Sequence, residues 1–512
     1  MTFLAQMASF PVGSALVQSL ILYTLYGIGL ALYRIWFSPL SKFPGPKLAA
    51  ATLWYEFYFD VIKRGRFAWE IKRLHEVYGP IVRINPFEIH IADPDFYDEI
   101  YTGNKRKRNL FEWSADQFAI PESMLSTVSH DLHRRRRAPI APFFTQHSIR
   151  RFDPVIRSKL DILCSRLEEY MHSGQPVNMD SAYAALTTDI ITEYCFGVSY
   201  GYLEQEGFNP EWLPTMLSAS ESSLLHKQIP WITTLIRSIP NAVALKLKPE
   251  IVNLFQFQAG VYATIKKIRA GELEPSPDNE HPTIFHSLFA SDLPASDLTP
   301  GRLMGEGQTV VAAGTLTTAH YLKTTTYYIL ANPEVLRKLK AELEVAMPKV
   351  STLPALRDLE DLPYLSAVVN EGFRTSHGVI ARLTRVAPDE DLHFYQYVIT
   401  AGTPVGMSSW LNHLDPTVFH DPDKFIPERW LEPDADRLKK YLVNFAKGTR
   451  MCLGKDLAKT EIVYTLALLF RKYEMELFKT DQSDVDIAHD FFNPSARLDS
   501  KGVRVIIKKS IV

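Results

Sequence analysis

Apolar residues recur at helical spacing along most of this 512-residue chain. That spacing predicts helices at 67–78, 154–172, 182–196, 250–270, 300–331, 333–346, 362–375 and 453–472. Alternation of apolar and polar residues predicts a hairpin formed by 80–84 and 88–91, and strands near Val398, Pro404 and 503–507. The expected fold class is therefore mainly α with small β-sheets (α+β).

The N-terminus has a different pattern. From Leu16 to about Trp36 the chain is almost wholly apolar, and about twenty such residues can cross a bilayer once. The first fifteen residues carry no charged side chain, whereas Lys42 and Lys47 follow the apolar run, so the positive-inside rule places the rest of the chain in the cytosol. A cleaved signal peptide is the alternative, but no basic segment precedes the run.

We therefore predict three segments. Residues 1–37 form a membrane anchor with one transmembrane helix, 38–48 form a proline-rich hinge, and 49–512 form one large domain. The formal net charge of −2 argues against a nucleic-acid-binding protein. Of the three cysteines, Cys164 and Cys195 fall in apolar helical patterns, so the chain has no disulfide framework and fits a reducing compartment.

The third cysteine lies in a distinctive frame, Phe445-Ala-Lys-Gly448-Thr-Arg450-Met-Cys452-Leu-Gly454. The two glycines would permit a tight turn, and the predicted helix that follows would lower the pKa of the Cys452 thiol. Arg450 can reach an anionic group, and Phe445 can pack on the sulfur side of a flat ring. The alternative is an ordinary buried cysteine. The whole frame indicates a haem-thiolate loop.

This loop and three further motifs resemble the cytochrome P450 superfamily of haem-thiolate monooxygenases, and the resemblance runs nearly from end to end. The motifs are Glu371-Gly-Phe-Arg374, Pro427-Glu-Arg429-Trp430 and Ala313-Gly314-Thr315-Leu316-Thr317. The resemblance implies the P450 fold and makes 49–512 the haem-thiolate catalytic domain. It also implies that Glu371, Arg374 and Arg429 form a buried structural cluster beside the haem-binding core.

The predicted helix 300–331 would supply the catalytic face. Thr299 and Pro300 are typical of a helix N-terminus. Ala313, Gly314 and Thr317 are expected to share one face, where glycine admits a flat ring and dioxygen and the Thr317 hydroxyl passes a proton through water. The alternative is a core helix in which this threonine bonds to the preceding turn.

Leu316 departs from the family pattern, which usually has Asp or Glu immediately before the threonine. Activation of dioxygen requires protons, and a neighbouring acid commonly helps to recruit them. With Leu316 in that position, the proton path is expected to run through Thr317, ordered water or the substrate.

Four basic residues are expected to pair with the haem propionates. His133 and Arg137 occupy positions where the family places a Trp and an Arg, and Arg385 and Arg450 complete the set. The alternative for the run Arg134 to Arg137 is a solvated basic patch.

The resemblance also implies a cofactor and partners. These are haem b (iron protoporphyrin IX) with Cys452 as axial thiolate and metal ligand, and NADPH used only through a separate cytochrome P450 reductase, with cytochrome b5 as a further candidate. The reductase would dock near Lys447, Lys455 and Lys459. The expected location is the endoplasmic reticulum membrane, single-pass, with a cytosolic catalytic domain.

The expected substrate is lipophilic, because apolar or aromatic segments occupy the places where the family lines its pocket. These segments are 110–125, 231–244, Ala313, 379–381 and 491–493. The stretches Phe43-Pro-Gly-Pro-Lys-Leu48 and Tyr78-Gly-Pro-Ile-Val-Arg-Ile-Asn-Pro86 are similar to filamentous-fungal microsomal members of the trichodiene-oxygenase type. That similarity implies hydroxylation or epoxidation of a terpenoid, polyketide or alkaloid. Two alternatives are a haem-thiolate isomerase or dehydratase that uses no dioxygen, and a non-catalytic membrane haem protein.

Overall fold

Helices make up most of the fold, as the sequence predicts. A computed structural model of the chain describes residues 12–103, 106–240, 243, 246, 248–273, 283–350 and 352–511, so parts of the predicted anchor and of the pocket segment 231–244 lie outside the described residues. The longer helices are Val12–Leu32, Phe67–Tyr78, His130–Arg137, Gln146–Ser173, Met179–Phe196, Trp212–Gln228, Ile232–Arg237, Pro249–Ala270, Ile284–Phe289, Pro300–Ala331, Pro333–Ala346, Pro363–Ser376 and Lys455–Lys472. Shorter ones are Lys47–Ala51, Trp54–Phe57, Tyr97–Ile100, Glu112–Ala115, Leu356–Glu360, Ser409–His413 and Ala435–Lys439.

The strands form small separate sheets. The order in the five-stranded sheet is Ile81–Arg83, Ile89–Ile91, Pro404–Gly406, Arg385–Val386 and Asn109–Leu110. A three-stranded sheet contains Val177–Asn178, Arg504–Ser510 and Tyr473–Leu477, and two hairpins pair Leu392–Phe394 with Tyr397–Ile399 and His489–Phe491 with Asn493–Ser495. The predicted hairpin is confirmed, with Val82 opposite His90. The predicted mainly α fold with small sheets is likewise confirmed.

Three predicted helices have the predicted bounds, namely Phe67–Tyr78, Pro300–Ala331 and Pro333–Ala346. The helix predicted at 154–172 instead begins at Gln146. Its N-terminus is capped by the Thr145 side chain, which accepts a hydrogen bond from the backbone of Ser148, and Pro154 lies inside the helix. The helix therefore begins earlier than predicted, because the capping residue lies upstream of Pro154.

Helix Pro300–Ala331 lies within the largest hydrophobic core and packs closely against Met179–Phe196. The Oγ1 atoms of Thr315 and Thr188 are 2.8 Å apart, and Trp212 Nε1 donates to Thr188 Oγ1 at 2.8 Å. Thr299 caps the helix through a hydrogen bond from the backbone of Arg302. The long helix is therefore held in a fixed position relative to its neighbours.

The N-terminal helix Val12–Leu32 continues as a π-helical turn through Phe37. Its stretch Ala15–Phe37, 23 residues long, has the length and composition of a membrane-spanning helix and is not buried against the rest of the protein. Arg34 Nη1 donates to Ala51 O at 3.0 Å, and Arg83 Nη1 donates to Arg34 O at 2.7 Å. The base of this helix is thus fastened to the domain by two arginines.

Candidate active site

The Cys452 loop is closed by backbone hydrogen bonds. Cys452 N–H donates to Phe445 O at 2.8 Å, and Met451 N–H donates to Gly448 O at 3.1 Å. Gly448 has a φ of +75°, and a Cβ at this position would stand 2.0 Å from the carbonyl oxygen of Thr102. This turn therefore requires glycine at 448.

Gly454 differs from Gly448. Its φ is −82°, and within the described chain nothing beyond its immediate neighbours lies within 4 Å of the place that a Cβ would take. The prediction that the turn needs both glycines is therefore wrong for Gly454, because an ordinary residue can adopt its backbone conformation.

We expect Gly448→Ala to prevent assembly of the site and Gly454→Ala to be milder. An alanine at 448 would meet Thr102 O and would be held in the left-handed region, which alone costs about 1 to 3 kcal/mol. The measurement is the Soret absorbance per mole of purified protein, together with the Tm. Equal losses in the two variants would contradict this reading of the turn.

The Cys452 thiol lies deep in the protein yet keeps accessible surface, so it lines an internal cleft. Burial raises the pKa of Cys452, whereas a hydrogen bond from the Gly454 backbone and the charges of Arg137 and Lys455 lower it. The net direction is opposite to the predicted lowering of the pKa, because burial is the largest cause. A metal ion that binds the sulfur would reverse this balance, since a coordinating thiol is deprotonated.

Phe445 lies beside the same loop. Its ring packs edge to face on Phe373, with centroids 5.2 Å apart, and Phe373 in turn packs on Tyr321 at 4.6 Å. The predicted position near the sulfur is consistent with the backbone bond between Phe445 and Cys452. An aromatic stack therefore connects the cysteine loop to helix Pro300–Ala331.

Four predicted basic groups come together on one side of the cleft. Burial, followed by the charges of Arg385 and Arg137, lowers the pKa of Arg450 to about 9. Burial and the charges of Arg450, Arg137 and Arg385 lower the pKa of His133 to about 3. Burial also lowers the pKa of both Arg137 and Arg385. No carboxylate of the described residues contributes to these four shifts.

This cluster fits the propionates of a haem. Nδ1 of His133 and Nε of Arg450 are buried without a hydrogen-bond partner. Arg450 is nevertheless fixed in place, because its Nη2 donates to Thr127 O and Val128 O, both at 2.8 Å. Buried cations without a counter-ion are costly, so a ligand with two carboxylates on this side and a metal beside Cys452 matches the donor set.

The arginine run divides between two roles. Arg135 and Arg136 pair with Asp297 at 2.9 and 3.0 Å, outside the cleft. Arg137 instead faces Cys452, whose charge raises its pKa against the effect of burial. The run is therefore not simply a solvated patch.

Glu371, Arg374 and Arg429 meet in a fully buried cluster. Glu371 accepts hydrogen bonds from Arg374 Nη2 at 2.7 Å, from Arg374 Nε at 3.0 Å and from Arg429 Nε at 3.2 Å. Arg374 also donates to Pro422 O and Lys424 O, both at 2.6 Å. The cluster therefore binds helix Pro363–Ser376 to the segment that precedes the cysteine loop.

Two members of this cluster do not follow from the sequence motifs. Trp430 Nε1 donates to Glu371 Oε2 at 2.9 Å, and the backbone of Ile426 donates to Glu371 Oε1 at 2.8 Å. Trp430 directly follows Arg429 in the chain, and that adjacency is the only signal the sequence offers. Thr102, whose carbonyl faces Gly448, has no sequence signal.

On helix Pro300–Ala331, Ala313 is exposed to the cleft and Thr317 is half-buried. Thr317 Oγ1 donates to Ala313 O at 2.9 Å, which is the back-bonded arrangement of the alternative reading. Leu316 is buried in the hydrophobic core. These positions separate Leu316 from the face that carries Ala313 and Thr317.

Gly314 does not share that face in the predicted way. A Cβ there would stand 2.8 Å from Ile191 Cγ1 on helix Met179–Phe196. The close approach that this glycine permits in the structure is between two helices, and its predicted role in admitting a ring and dioxygen stays a prediction.

Three of the expected pocket segments meet in the structure. The rings of Phe118 and Phe492 pack edge to face with centroids 5.0 Å apart, and the backbone of Ile380 donates to Phe492 O at 3.3 Å. The segment 231–244 differs, because Trp231 and Leu235 are exposed to solvent and Ala244 lies outside the described residues.

Comparison with known proteins shows the family of the chain. The family model described as Cytochrome P450 matches residues 46–501. A cytochrome P450 monooxygenase of Ascocoryne sarcoides is 45% identical over 501 residues, covering 94% of this chain and 97% of the relative. A tryptophan 6-hydroxylase of Fusarium equiseti is 43% identical, covering 96% of each chain, and an N-acetyltryptophan 6-hydroxylase of Emericella nidulans is 42% identical, covering 98% of each. The chain therefore belongs to the cytochrome P450 family of haem-thiolate proteins, and it is an oxidoreductase of the P450 monooxygenase class.

Proposed function

We propose that this protein is a membrane-anchored monooxygenase that hydroxylates or epoxidises a lipophilic secondary metabolite in a fungal pathway. The observation that carries the proposal is the buried group of Arg137, Arg385, Arg450 and His133, which lies on the same cleft as Cys452 and has no carboxylate of the described residues among the causes of its pKa shifts. Three fungal relatives are named as monooxygenases or hydroxylases. Within the terpenoid, polyketide and alkaloid classes, the two named tryptophan hydroxylases favour a tryptophan-derived aromatic substrate for the first tests.

In this proposal Cys452 and the residues around it would hold haem b. Bound haem supplies the reductive activation of dioxygen and the transfer of one oxygen atom. Cys452 Sγ would be the protein ligand of the haem iron. Arg137, Arg385 and Arg450 would neutralise the propionates, and Phe445 would limit water near the sulfur.

Thr317 is the proposed proton-handling residue of the distal face. Its hydroxyl proton lies between Thr317 Oγ1 and Ala313 O, and turning the hydroxyl toward the cleft would release it to an ordered water. Leu316, buried in the core, offers no proton. Protons therefore reach the cleft through Thr317 Oγ1 and water, or from the substrate itself.

We expect Thr317→Val to lower the product formed per NADPH by about ten-fold and to raise hydrogen peroxide release, because an isosteric side chain without a hydroxyl cannot pass a proton. NADPH consumption, product and peroxide would be measured together with reductase present. Thr309→Val is the matched control, since Thr309 Oγ1 makes the same type of bond, to Gly305 O at 2.7 Å. Unchanged coupling in Thr317→Val would contradict the proposed role.

The electrons are proposed to come from a separate NADPH-cytochrome P450 reductase, with cytochrome b5 as a further candidate partner. Lys447, Lys455 and Lys459, which flank Cys452 in the chain, are the proposed docking site of the reductase. Lys447 pairs with Asp98 at 2.6 Å, and burial lowers the pKa of Lys459. Docking of an acidic partner would have to compete with Asp98 for Lys447.

The exposed apolar helix Ala15–Phe37 supports a single-pass anchor in the endoplasmic reticulum membrane with a cytosolic catalytic domain. We propose that residues 1–37 form this anchor, that 38–48 form the hinge and that 49–512 form the catalytic domain.

The test is expression of the full chain in reductase-containing microsomes, with tryptophan and N-acetyltryptophan as the first probes. We expect a product one oxygen atom heavier than the probe, with the atom derived from labelled dioxygen and dependent on NADPH. Conversion that needs neither NADPH nor dioxygen would instead support the isomerase or dehydratase alternative. Microsomes that contain Cys452→Ala provide the control.

A further inference from the structure

The segment from Trp54 to Ile62 exposes apolar side chains and buries charged ones. It consists of helix Trp54–Phe57 and a π-helical turn that continues to Ile62. Trp54, Tyr58 and Ile62 are 68%, 45% and 60% exposed, whereas the carboxylates of Glu56 and Asp60 are buried. A surface helix normally exposes its charged residues to water and buries its apolar residues. The two buried carboxylates therefore require a cationic or hydrogen-bonding partner in the interior.

That partner is Lys227, near the end of helix Trp212–Gln228. Its Nζ donates to Glu56 Oε1 and to Asp60 Oδ2, each at 2.8 Å, and its side chain is 6% exposed. One ammonium group thus ties the last turn of this helix to the segment next to the hinge. The bonds are charge-assisted and lie away from water, where such bonds are strong.

Other charged groups around this tie cannot replace Lys227. Arg382 Nη2 donates to Glu56 Oε1 at 2.8 Å and to Glu88 Oε2 at 2.7 Å. Burial raises the pKa of Asp60 to about 6 and that of Asp490 to about 7. The cluster therefore holds four carboxyl groups and two cations. Loss of Lys227 would remove the cation that is hydrogen-bonded to Asp60 and leave only the more distant charge of Arg382 near that carboxylate.

Helix Trp212–Gln228 borders the expected substrate cleft. Lys227 Nζ lies 5.2 Å from the ring centroid of Trp113, in the pocket segment 110–125. At mid-helix, Ser220 Oγ donates to Phe491 O at 2.6 Å. The tip of the hairpin that contains Phe491 is also connected to the charged cluster around Lys227. Asp490, a member of that cluster, accepts a hydrogen bond through Oδ1 from the backbone of Phe492, whose φ is +72°.

We propose that Lys227 is a positioning residue that holds helix Trp212–Gln228 closed over the cleft by fastening it to the segment Trp54–Ile62, and that release of this tie admits bulky ligands. The inference rests on the proposed function, since it takes the cleft above Cys452 as the place where substrate binds. The tie connects the cleft to a surface that exposes Trp54, Tyr58 and Ile62 next to the anchor. Lys227 is the buried connection between that surface and the helix. A second and more exposed ion pair lies beside it, in which Arg64 Nε donates to Glu221 Oε1 at 2.7 Å.

The test compares the entry of a large and a small haem ligand into the purified full-length holoenzyme. Clotrimazole, a bulky azole, requires the cleft to open, whereas carbon monoxide does not. We expect Lys227→Met to raise the association rate of clotrimazole about five-fold or more, with the carbon monoxide rate changed by less than about two-fold. Lys227→Arg should restore much of the wild-type clotrimazole rate, because it retains a cation.

The matched control is Lys159→Met. Lys159 Nζ pairs with Glu193 Oε2 at 2.8 Å and its side chain is 12% exposed, so its loss also removes a partly buried ion pair. The clotrimazole rate should not change in this variant. Asp60→Asn weakens the tie without removing the lysine and should raise the clotrimazole association rate by an intermediate amount. If Lys227→Met does not yield holoenzyme, the comparison with the wild type is made with Asp60→Asn.

Two results would overturn the inference. One is a clotrimazole association rate in Lys227→Met that equals the wild-type rate. The same result in Asp60→Asn counts if Lys227→Met gives no holoenzyme. The other is a parallel rise in the carbon monoxide rate, which would indicate general loosening of the fold. Both are distinct from failure of the proposed function, which would appear as absence of the thiolate-type Soret band in the wild-type protein itself.

Discussion

Cys452→Ala is expected to abolish the red-shifted Soret band of the reduced, carbon-monoxide-treated protein and all NADPH-dependent turnover. The Cys452 thiol is the sulfur that lines the cleft. Burial raises its pKa, and the charges of Arg137 and Lys455 oppose that rise. The shift of the band arises from the thiolate ligand, so a protein that binds haem without this sulfur would give a different spectrum. The measurement is the difference spectrum at matched protein concentration.

The other two cysteines provide controls for this result. Cys164 and Cys195 are buried in the core, and burial raises the pKa of each. We expect Cys164→Ala and Cys195→Ala to keep the thiolate-type spectrum, with losses confined to stability. A Cys452→Ala protein that retained the red-shifted band would contradict the assignment of the axial ligand.

The apolar pattern predicts the helices that bury an apolar stripe. Helix Pro333–Ala346 follows from this rule, since its buried residues are Val335, Leu339 and Leu343. Helix Trp212–Gln228 does not follow from it, because its buried side includes the polar residues Thr215, Ser220, Ser223, His226 and Lys227. Such a side becomes favourable only when distant segments supply its partners, as Glu56 and Asp60 do for Lys227.

The same limit applies within the site. The motifs name Cys452, Glu371 and the arginines, because each chemical role requires a particular residue type at a particular place. They do not distinguish Gly448 from Gly454, since the difference lies in contact with Thr102, far away in the chain. Helical spacing also cannot show that the space next to Gly314 is filled by Ile191. The sequence therefore predicts which residues belong to the site, whereas contacts with distant residues determine the structural role of each glycine.

Glu371→Gln is expected to prevent accumulation of holoenzyme. Glu371 is fully buried and accepts hydrogen bonds from Arg374, Arg429, Trp430 and the Ile426 backbone. The amide would leave two buried guanidinium groups without a counter-charge, and breaking such a cluster costs about 3 to 5 kcal/mol. That loss is a large fraction of the stability of an ordinary domain, so haem content per mole of protein should fall strongly.

The chain contains a matched control for this substitution, the surface pair Glu334 and Arg337. It has the same i, i+3 spacing and nearly the same geometry, with Arg337 Nη2 and Nε donating to Glu334 at 2.7 and 2.9 Å. Both side chains are exposed, so solvent screens the pair and Glu334→Gln should leave haem content and Tm almost unchanged. If Glu371→Gln and Glu334→Gln gave the same haem content, burial of the Glu371 cluster would not be what holds the cysteine loop in place.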